Sequence, residues 1–109
     1  MTRMVERIVS IARSNAKGKK YAAIVRDNAS GRTSTVNFGG LGYQQFKDST
    51  PLKLFSSHDH GETKRRDRYF LRHSGTKNKA EAIEKEKKRG RKGRPGTYSP
   101  KLLSHMFLW

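Results

Sequence analysis

Two short runs with strand chemistry face each other across a turn, and this pairing constrains the chain more than any other local feature. Tyr21-Ala22-Ala23-Ile24-Val25-Arg26 and Thr33-Ser34-Thr35-Val36-Asn37-Phe38 are rich in β-branched and aromatic residues, and between them lies Asp27-Asn28-Ala29-Ser30-Gly31-Arg32. Asp and Asn side chains hydrogen-bond their own backbone in turns, and glycine accepts the positive φ that closes them. The pattern predicts a β-hairpin with a loop of about four to six residues. Two strands alone are marginal in water, so a helix or further strands must cover them. Material for that cover is scarce: 32% of the 109 residues are hydrophobic, against about 45–50% in an ordinary soluble domain. The expected fold is a single small α+β domain, a β-hairpin or antiparallel-sheet core with short helices and an extended basic C-terminal arm.

Charge is distributed unevenly along that chain. Twenty-five Lys and Arg against nine Asp and Glu leave a formal charge of +16. Residues 1–63 carry ten basic and five acidic side chains, net +5, and residues 64–109 carry fifteen and four, net +11. Like charge at this density opposes compaction and favours partners that bring negative charge or buried contact area. The composition also removes several function classes. Cysteine is absent, which excludes disulfide scaffolds, thiolate zinc sites and cysteine nucleophiles. Met1–Lys20 has no apolar stretch of signal-peptide length. The longest membrane candidate, Leu102–Trp109, is short and interrupted by Ser104 and His105. A soluble protein made inside a cell is the expectation.

Three regions are expected. Residues 1–18 place Met4, Val5, Ile8, Ile11 and Ala12 at helical spacing, which predicts an N-terminal amphipathic helix with Thr2 as N-cap and Gly18 as its stop. Residues 19–75 form the hairpin-centred core. Within it, Phe38-Gly39-Gly40-Leu41-Gly42-Tyr43 predicts a structural turn at Gly39, Gly42 and Tyr43 whose rings pack back on the hairpin. Its glycine spacing matches neither G-x-x-x-x-G-K-[ST] nor G-x-G-x-x-G. Lys47–Glu62 reads as an irregular excursion. Lys64–His73 reads as a short helix closed by Gly75, with Tyr69, Phe70 and His73 on one face and Arg65, Arg68 and Arg72 as a basic stripe. Residues 76–109 form the basic arm and its apolar aromatic tail. A weak helix capped by Asn78 fits Thr76–Gly90, the Lys85–Arg94 run is expected to be extended, and Ser99-Pro100 caps the last segment. There Leu102, Leu103, Met106, Phe107 and Trp109 either fold back on the hairpin or anchor the chain in a partner or a membrane interface.

No catalytic set assembles. His58-Asp59-His60 offers two imidazoles and a carboxylate to a metal, but no further ligand stands at a fixed spacing. Isolated serines lack a nucleophile elbow. The expectation is a protein that is not an enzyme and uses no metal, cofactor or small-molecule substrate. What remains is electrostatic. Arg65, Arg66, Arg68, Arg72, Lys87, Lys88, Arg89, Arg91, Lys92 and Arg94 suit phosphates, with Tyr69, Phe70 and Tyr98 nearby for stacking. The same cations suit lipid headgroups and acidic protein faces, and Lys87–Arg94 has the composition of a nuclear import signal.

Three stretches, in this order, carry a resemblance. They are the hairpin running into Phe38-Gly39-x-x-Gly42-Tyr43, the Lys64-x-x-x-Arg68-Tyr69-x-x-Arg72-His73 segment, and the Ser99-Pro100…Phe107-Leu108-Trp109 ending. Over roughly residues 20–109 the chain resembles a family of small basic proteins of the nucleocytoplasmic large DNA viruses. Here Lys47–Glu62 is longer than the usual link, and the Lys85–Arg94 run is particular to this chain. The resemblance implies a virion protein, most simply a minor capsid component that cements neighbouring capsid proteins, major or minor, through its basic arm and apolar anchor. It implies no catalytic residues. The alternative is a nucleic-acid-binding or genome-packaging protein of the virion, and the internal virion membrane surface is a further candidate partner.

Overall fold

The Asp27–Arg32 turn closes as its local chemistry dictates. Asp27 Oδ1 accepts from the backbone N–H groups of Ala29 and Ser30, each at 2.9 Å, and Gly31 takes a φ of +75°. The computed structural model describes residues 1–109 and builds on this hairpin an α+β fold. Strands β1 (Glu6–Arg13), β2 (Lys19–Asp27) and β3 (Thr33–Gly40) are followed by a 3-10 turn at Ser56–His58. Helices α1 (Thr63–Ser74), α2 (Lys79–Arg89) and α3 (Pro100–Phe107) complete the chain. The sheet is an antiparallel meander in the order β1-β2-β3.

The expected N-terminal helix over residues 1–18 is instead the edge strand β1. Ile8 pairs with Val25 and Ser10 with Ile24, so Val9 is an extra residue in a β-bulge. In a regular strand, residues three apart point to opposite faces. The bulge turns Ile11, paired with Ala23, back to the face that Ile8 shares with Val25. A strand with one bulge therefore carries apolar residues at helical spacing. Thr2 caps nothing; its backbone N–H donates to the Glu84 carboxylate. Gly18, with φ +77°, lies in the turn into β2.

One face of the sheet carries the core. Tyr21, Ala23, Val25, Val36 and Phe38 are buried together with Phe55 from the excursion and with Leu103 and Leu108 from the C-terminal segment. Tyr69, Phe70 and Ala82 form a second cluster between α1 and α2, and Trp109 packs against both clusters. The apolar tail thus folds back on the hairpin and is not a free anchor. Leu102 and Leu103 are fully buried, and Met106, Phe107 and Trp109 are partly buried. Its backbone is tied in as well: the Phe46 and Lys47 N–H groups donate to the Leu108 carbonyl at 3.0 and 3.1 Å, and Ser49 N–H donates to the Phe107 carbonyl at 2.8 Å. Ser99 caps α3 by accepting from Leu102 N–H at 3.0 Å.

The basic arm is likewise folded, not extended. Asn78 Oδ1 accepts from Glu81 N–H at 3.0 Å and starts α2. Gly90 ends it with φ +66°, where an added Cβ would lie 1.6 Å from the Arg94 carbonyl oxygen, so only glycine permits this tight return. The next residue is the pin. The Arg91 guanidinium donates to both Glu6 carboxylate oxygens at 2.9 and 2.7 Å and to the Tyr98 carbonyl at 2.7 Å, while Tyr98 N–H donates to Glu6 at 2.9 Å. Burial pushes the Glu6 pKa up. The hydrogen bonds from Arg91 and Tyr98 and the charges of Arg91 and Arg94 outweigh it and hold the carboxyl below its usual range.

Arg91→Ala leaves a buried carboxylate with one backbone donor. Because Arg91 keeps 21% of its side chain in solvent, the expected loss in urea unfolding is about 2–3 kcal/mol, at or below the low end for a broken buried pair. Since the folded-state pKa of Glu6 is lowered, the wild-type advantage should be present above the unfolded carboxylate pKa and lost as pH falls through the folded one.

Candidate functional site

Where β2 begins and β3 ends, the sheet meets α1 and the first turn of α3 across a groove of about 540 Å3. Lys19 and Lys20 come from β2, and Gly39, Gly40, Tyr43, Gln44 and Gln45 from the end of β3 and the turn after it. Arg65, Tyr69, Arg72 and His73 come from α1, and Pro100, Lys101, Ser104, Leu108 and Trp109 from the C-terminal segment. Five Lys and Arg residues line it and no Asp or Glu does. Lys19, Arg72 and Lys101 are in no ion pair.

Lys20 organises one wall. Its buried amine donates to the Tyr43 carbonyl at 2.6 Å and to Gln45 Oε1. Burial pushes its pKa down, and the charges of Asp48 and Asp59 only partly oppose that. Gln45 is itself held, donating to the Phe55 carbonyl at 2.8 Å and to Asp59 at 2.7 Å. The backbone at Tyr43 is therefore fixed, and its N–H returns to the Gly40 carbonyl at 3.2 Å. The phenol lies over Gly40, where a Cβ would come within 2.4 Å of the ring. The other expectation for this turn was that its rings pack back on the hairpin. Phe38 does so, but Tyr43 is 76% exposed and Leu41 is also exposed. Gly39 takes φ +80°, as a turn there needs.

The floor is aromatic. Trp109 stacks on Tyr69 with centroids 4.1 Å apart and planes 4° from parallel. Behind it runs a buried relay: the Tyr69 hydroxyl meets His105 Nδ1 at 3.0 Å, His105 Nε2 meets Ser74 Oγ at 2.8 Å, and Ser74 donates to Glu86 at 3.1 Å. Because Ser74 gives its one hydrogen to the carboxylate, His105 donates to its Oγ from Nε2; burial favours the neutral ring, in which Nδ1 then accepts from Tyr69. Burial, then the charges of His73, Lys101 and Lys79, push the His105 pKa down to about 4. Burial and the Glu86 charge push Tyr69 up.

The ten basic residues singled out from sequence do not form one surface. Arg65 and Arg72 reach the groove, and Arg65 also donates to Gln44 at 2.9 Å and Glu62 at 3.1 Å. Arg66 sits over the Phe46 ring at 4.6 Å, and Arg68 is exposed on α1. Lys87, Lys88 and Arg89 lie on the last turn of α2, with Arg89 3.9 Å from Glu86. Arg91 is committed to Glu6, Lys92 adopts a left-handed backbone at φ 55°, and Arg94 stands 3.6 Å from Asp27. Lys19, Lys20 and Lys101 were missed. Lys101 left one signal, a cation in the first turn of a helix, where the macrodipole disfavours it. His58, Asp59 and His60 turn to separate partners: Tyr43, Gln45 with the Asp48 N–H, and the Glu62 N–H.

A neutral buried His105 makes the fold acid-sensitive. The unfolded state binds the extra proton between the folded value of about 4 and the ordinary 6.5, so stability is full above that window and falls as pH drops through it. From pH 7 to pH 5 this single group should remove about 2 kcal/mol. Chemical denaturation of His105→Gln beside wild type checks it: the variant should show a shallower pH dependence, whatever its stability at pH 7.

Residues of three stretches distant in sequence meet in this groove: Gly39 and Tyr43 from the turn after the hairpin, Tyr69, Arg72 and His73 from α1, and Pro100, Leu108 and Trp109 from the C-terminal segment. No family model, curated protein or solved structure matches the chain.

Proposed function

We propose that the chain is a nucleic-acid-binding protein that acts in a virion, with phosphates held in the groove and along the exposed basic face of α1. One observation carries this reading. Lys19, Arg72 and Lys101, none of them in an ion pair, converge with Arg65 and the buried Lys20 on one concave surface that no Asp or Glu side chain lines. Such a surface focuses positive potential and concentrates a polyanion. The virion setting comes from the family resemblance. The basic arm and the apolar tail are both folded into the body of the protein, so a cementing role would work through its folded surface.

The test is a salt titration. Binding of labelled 20-nucleotide single strands should weaken with a log–log slope of about −2 to −3 if three or four groove cations displace counterions. Arg72→Ala and Lys101→Ala should each reduce the slope by about one. A flat salt dependence overturns the reading.

A separate feature favours a second reading, the minor capsid component. Leu52 and Leu54 are 42% and 47% exposed on a loop that Asp48 holds rigid from beneath. The Asp48 carboxylate accepts from Thr50 N–H and hydroxyl at 3.0 and 2.6 Å, from Phe55 N–H at 3.1 Å, and from the Tyr21 hydroxyl. Two leucines fixed on an ordered loop suit a capsid neighbour. On this reading the double variant L52S/L54S should be lost from assembled shells while its DNA affinity stays within about twofold.

A further inference from the structure

The groove is built for an unpaired nucleotide rather than for a duplex; we infer that its ligand is single-stranded nucleic acid, with one base stacked on Tyr43 and its phosphate among Lys19, Arg72 and Lys101. This rests on the nucleic-acid reading above and sharpens it.

Three features carry the inference. The first is Tyr43. An aromatic residue that is 76% exposed is normally free to move, yet this one is anchored through its backbone and at one side of its ring. Its carbonyl is clamped by the buried Lys20 amine at 2.6 Å, its N–H is bonded to the Gly40 carbonyl, and one side of its ring lies beside Gly40, where an added Cβ would come within 2.4 Å of it. The rest of the ring is open to solvent. A base in a duplex has both faces covered by its neighbours, so only an unpaired base can lie on that phenol. Stacking of this kind needs no particular base, since every base offers a π-face.

The second feature is shape. The cations line a concavity of about 540 Å3, within the range of small-ligand sites. A duplex is too wide to enter a depression of that size, whereas a single unpaired nucleotide can. Charges set inside a concavity are reached only by a backbone flexible enough to enter it. The third is chemistry. Gln44 and Gln45 stand beside Tyr43 on the groove wall, and the Gln44 carbonyl is held by Arg65 at 2.9 Å. This leaves the Gln44 amide N–H2 with no protein partner and available to a base edge. An acidic peptide would answer the cations but leave both the phenol and this amide unmatched.

Trp109 is the sole tryptophan and it lines the groove, so its fluorescence reports occupancy directly. The experiment compares an eight-nucleotide oligo-dT with a blunt duplex of equal phosphate count, each titrated into the intact protein at low salt. Anisotropy of the labelled nucleic acid and Trp109 emission are read together. Oligo-dT should quench Trp109 and bind at least about tenfold more tightly than the duplex. Tyr43→Ala should weaken oligo-dT about 5- to 20-fold and the duplex less than twofold, and Tyr43→Phe should retain wild-type affinity. Tyr43 is exposed, so the substitution should leave the fold intact. Gly40→Ala, which drives a methyl into the ring, offers an independent route to the same loss. Equal quenching by duplex and oligo-dT, or a Tyr43→Ala affinity for oligo-dT within twofold of wild type, overturns this inference and leaves nucleic-acid binding standing. Displacement of oligo-dT by polyglutamate at equal charge overturns it in favour of an acidic protein ligand. Failure of both nucleic acids to bind overturns the reading beneath it as well.

Discussion

A three-stranded meander has one apolar face that something must cover, and in this chain the cover comes largely from the C-terminal segment. Leu103 and Leu108 close over Tyr21, Val25 and Phe38, and Phe107 packs beside the Phe38 ring with centroids 6.1 Å apart. Burial of aliphatic and aromatic side chains at roughly 25 cal/mol per Å2 is the main force available to a chain this polar. The consequence reaches beyond the core. Trp109 ends up against both clusters, stacks on Tyr69 and so brings α1 to the end of the sheet. The groove exists because the tail closes the sheet at that point.

The second organising fact is how the few acids are used. Glu6, Asp48 and Glu86 are all buried, and each ties together segments distant in sequence. Glu6 ties β1 to the arm, Asp48 ties β2 to the excursion, and Glu86 completes the His105 relay between α1, α2 and α3. A carboxylate under the surface is costly unless paired or well bonded, and these three are met by guanidinium, hydroxyl or backbone N–H donors. With three of its nine acids inside, the protein has fewer left to neutralise cations outside. The groove, which no Asp or Glu lines, is where this shortage of surface acids is plainest.

Local chemistry was legible wherever the determinant lay within a few residues. The Asp27–Gly31 turn, the Lys64–His73 helix with its left-handed Gly75 cap, the Asn78 cap and the Ser99-Pro100 start of α3 all formed as their residues predicted. The N-terminal strand was misread because a single bulged residue, Val9, converts a period of two into an apparent helical spacing. The arm was misread because its order depends on Glu6, a residue more than eighty positions away. The candidate site was half legible: Tyr43, Arg65 and Arg72 stood out in sequence, while Lys19, Lys20 and Lys101 looked like ordinary surface charge.

The sequence by itself determined that the chain is basic, small, free of cysteine chemistry and centred on a hairpin, since composition and short-range turn and cap preferences are properties of neighbouring residues. Where the charge acts was a tertiary decision. The run from Lys85 to Arg94, the densest positive stretch, is folded down by one buried ion pair and leaves the groove to others. The cations that do converge come from a strand start, a helix face and a helix first turn. Only the packing of the tail against the sheet sets those three elements side by side, because that packing is where the chain gains the apolar burial it otherwise lacks.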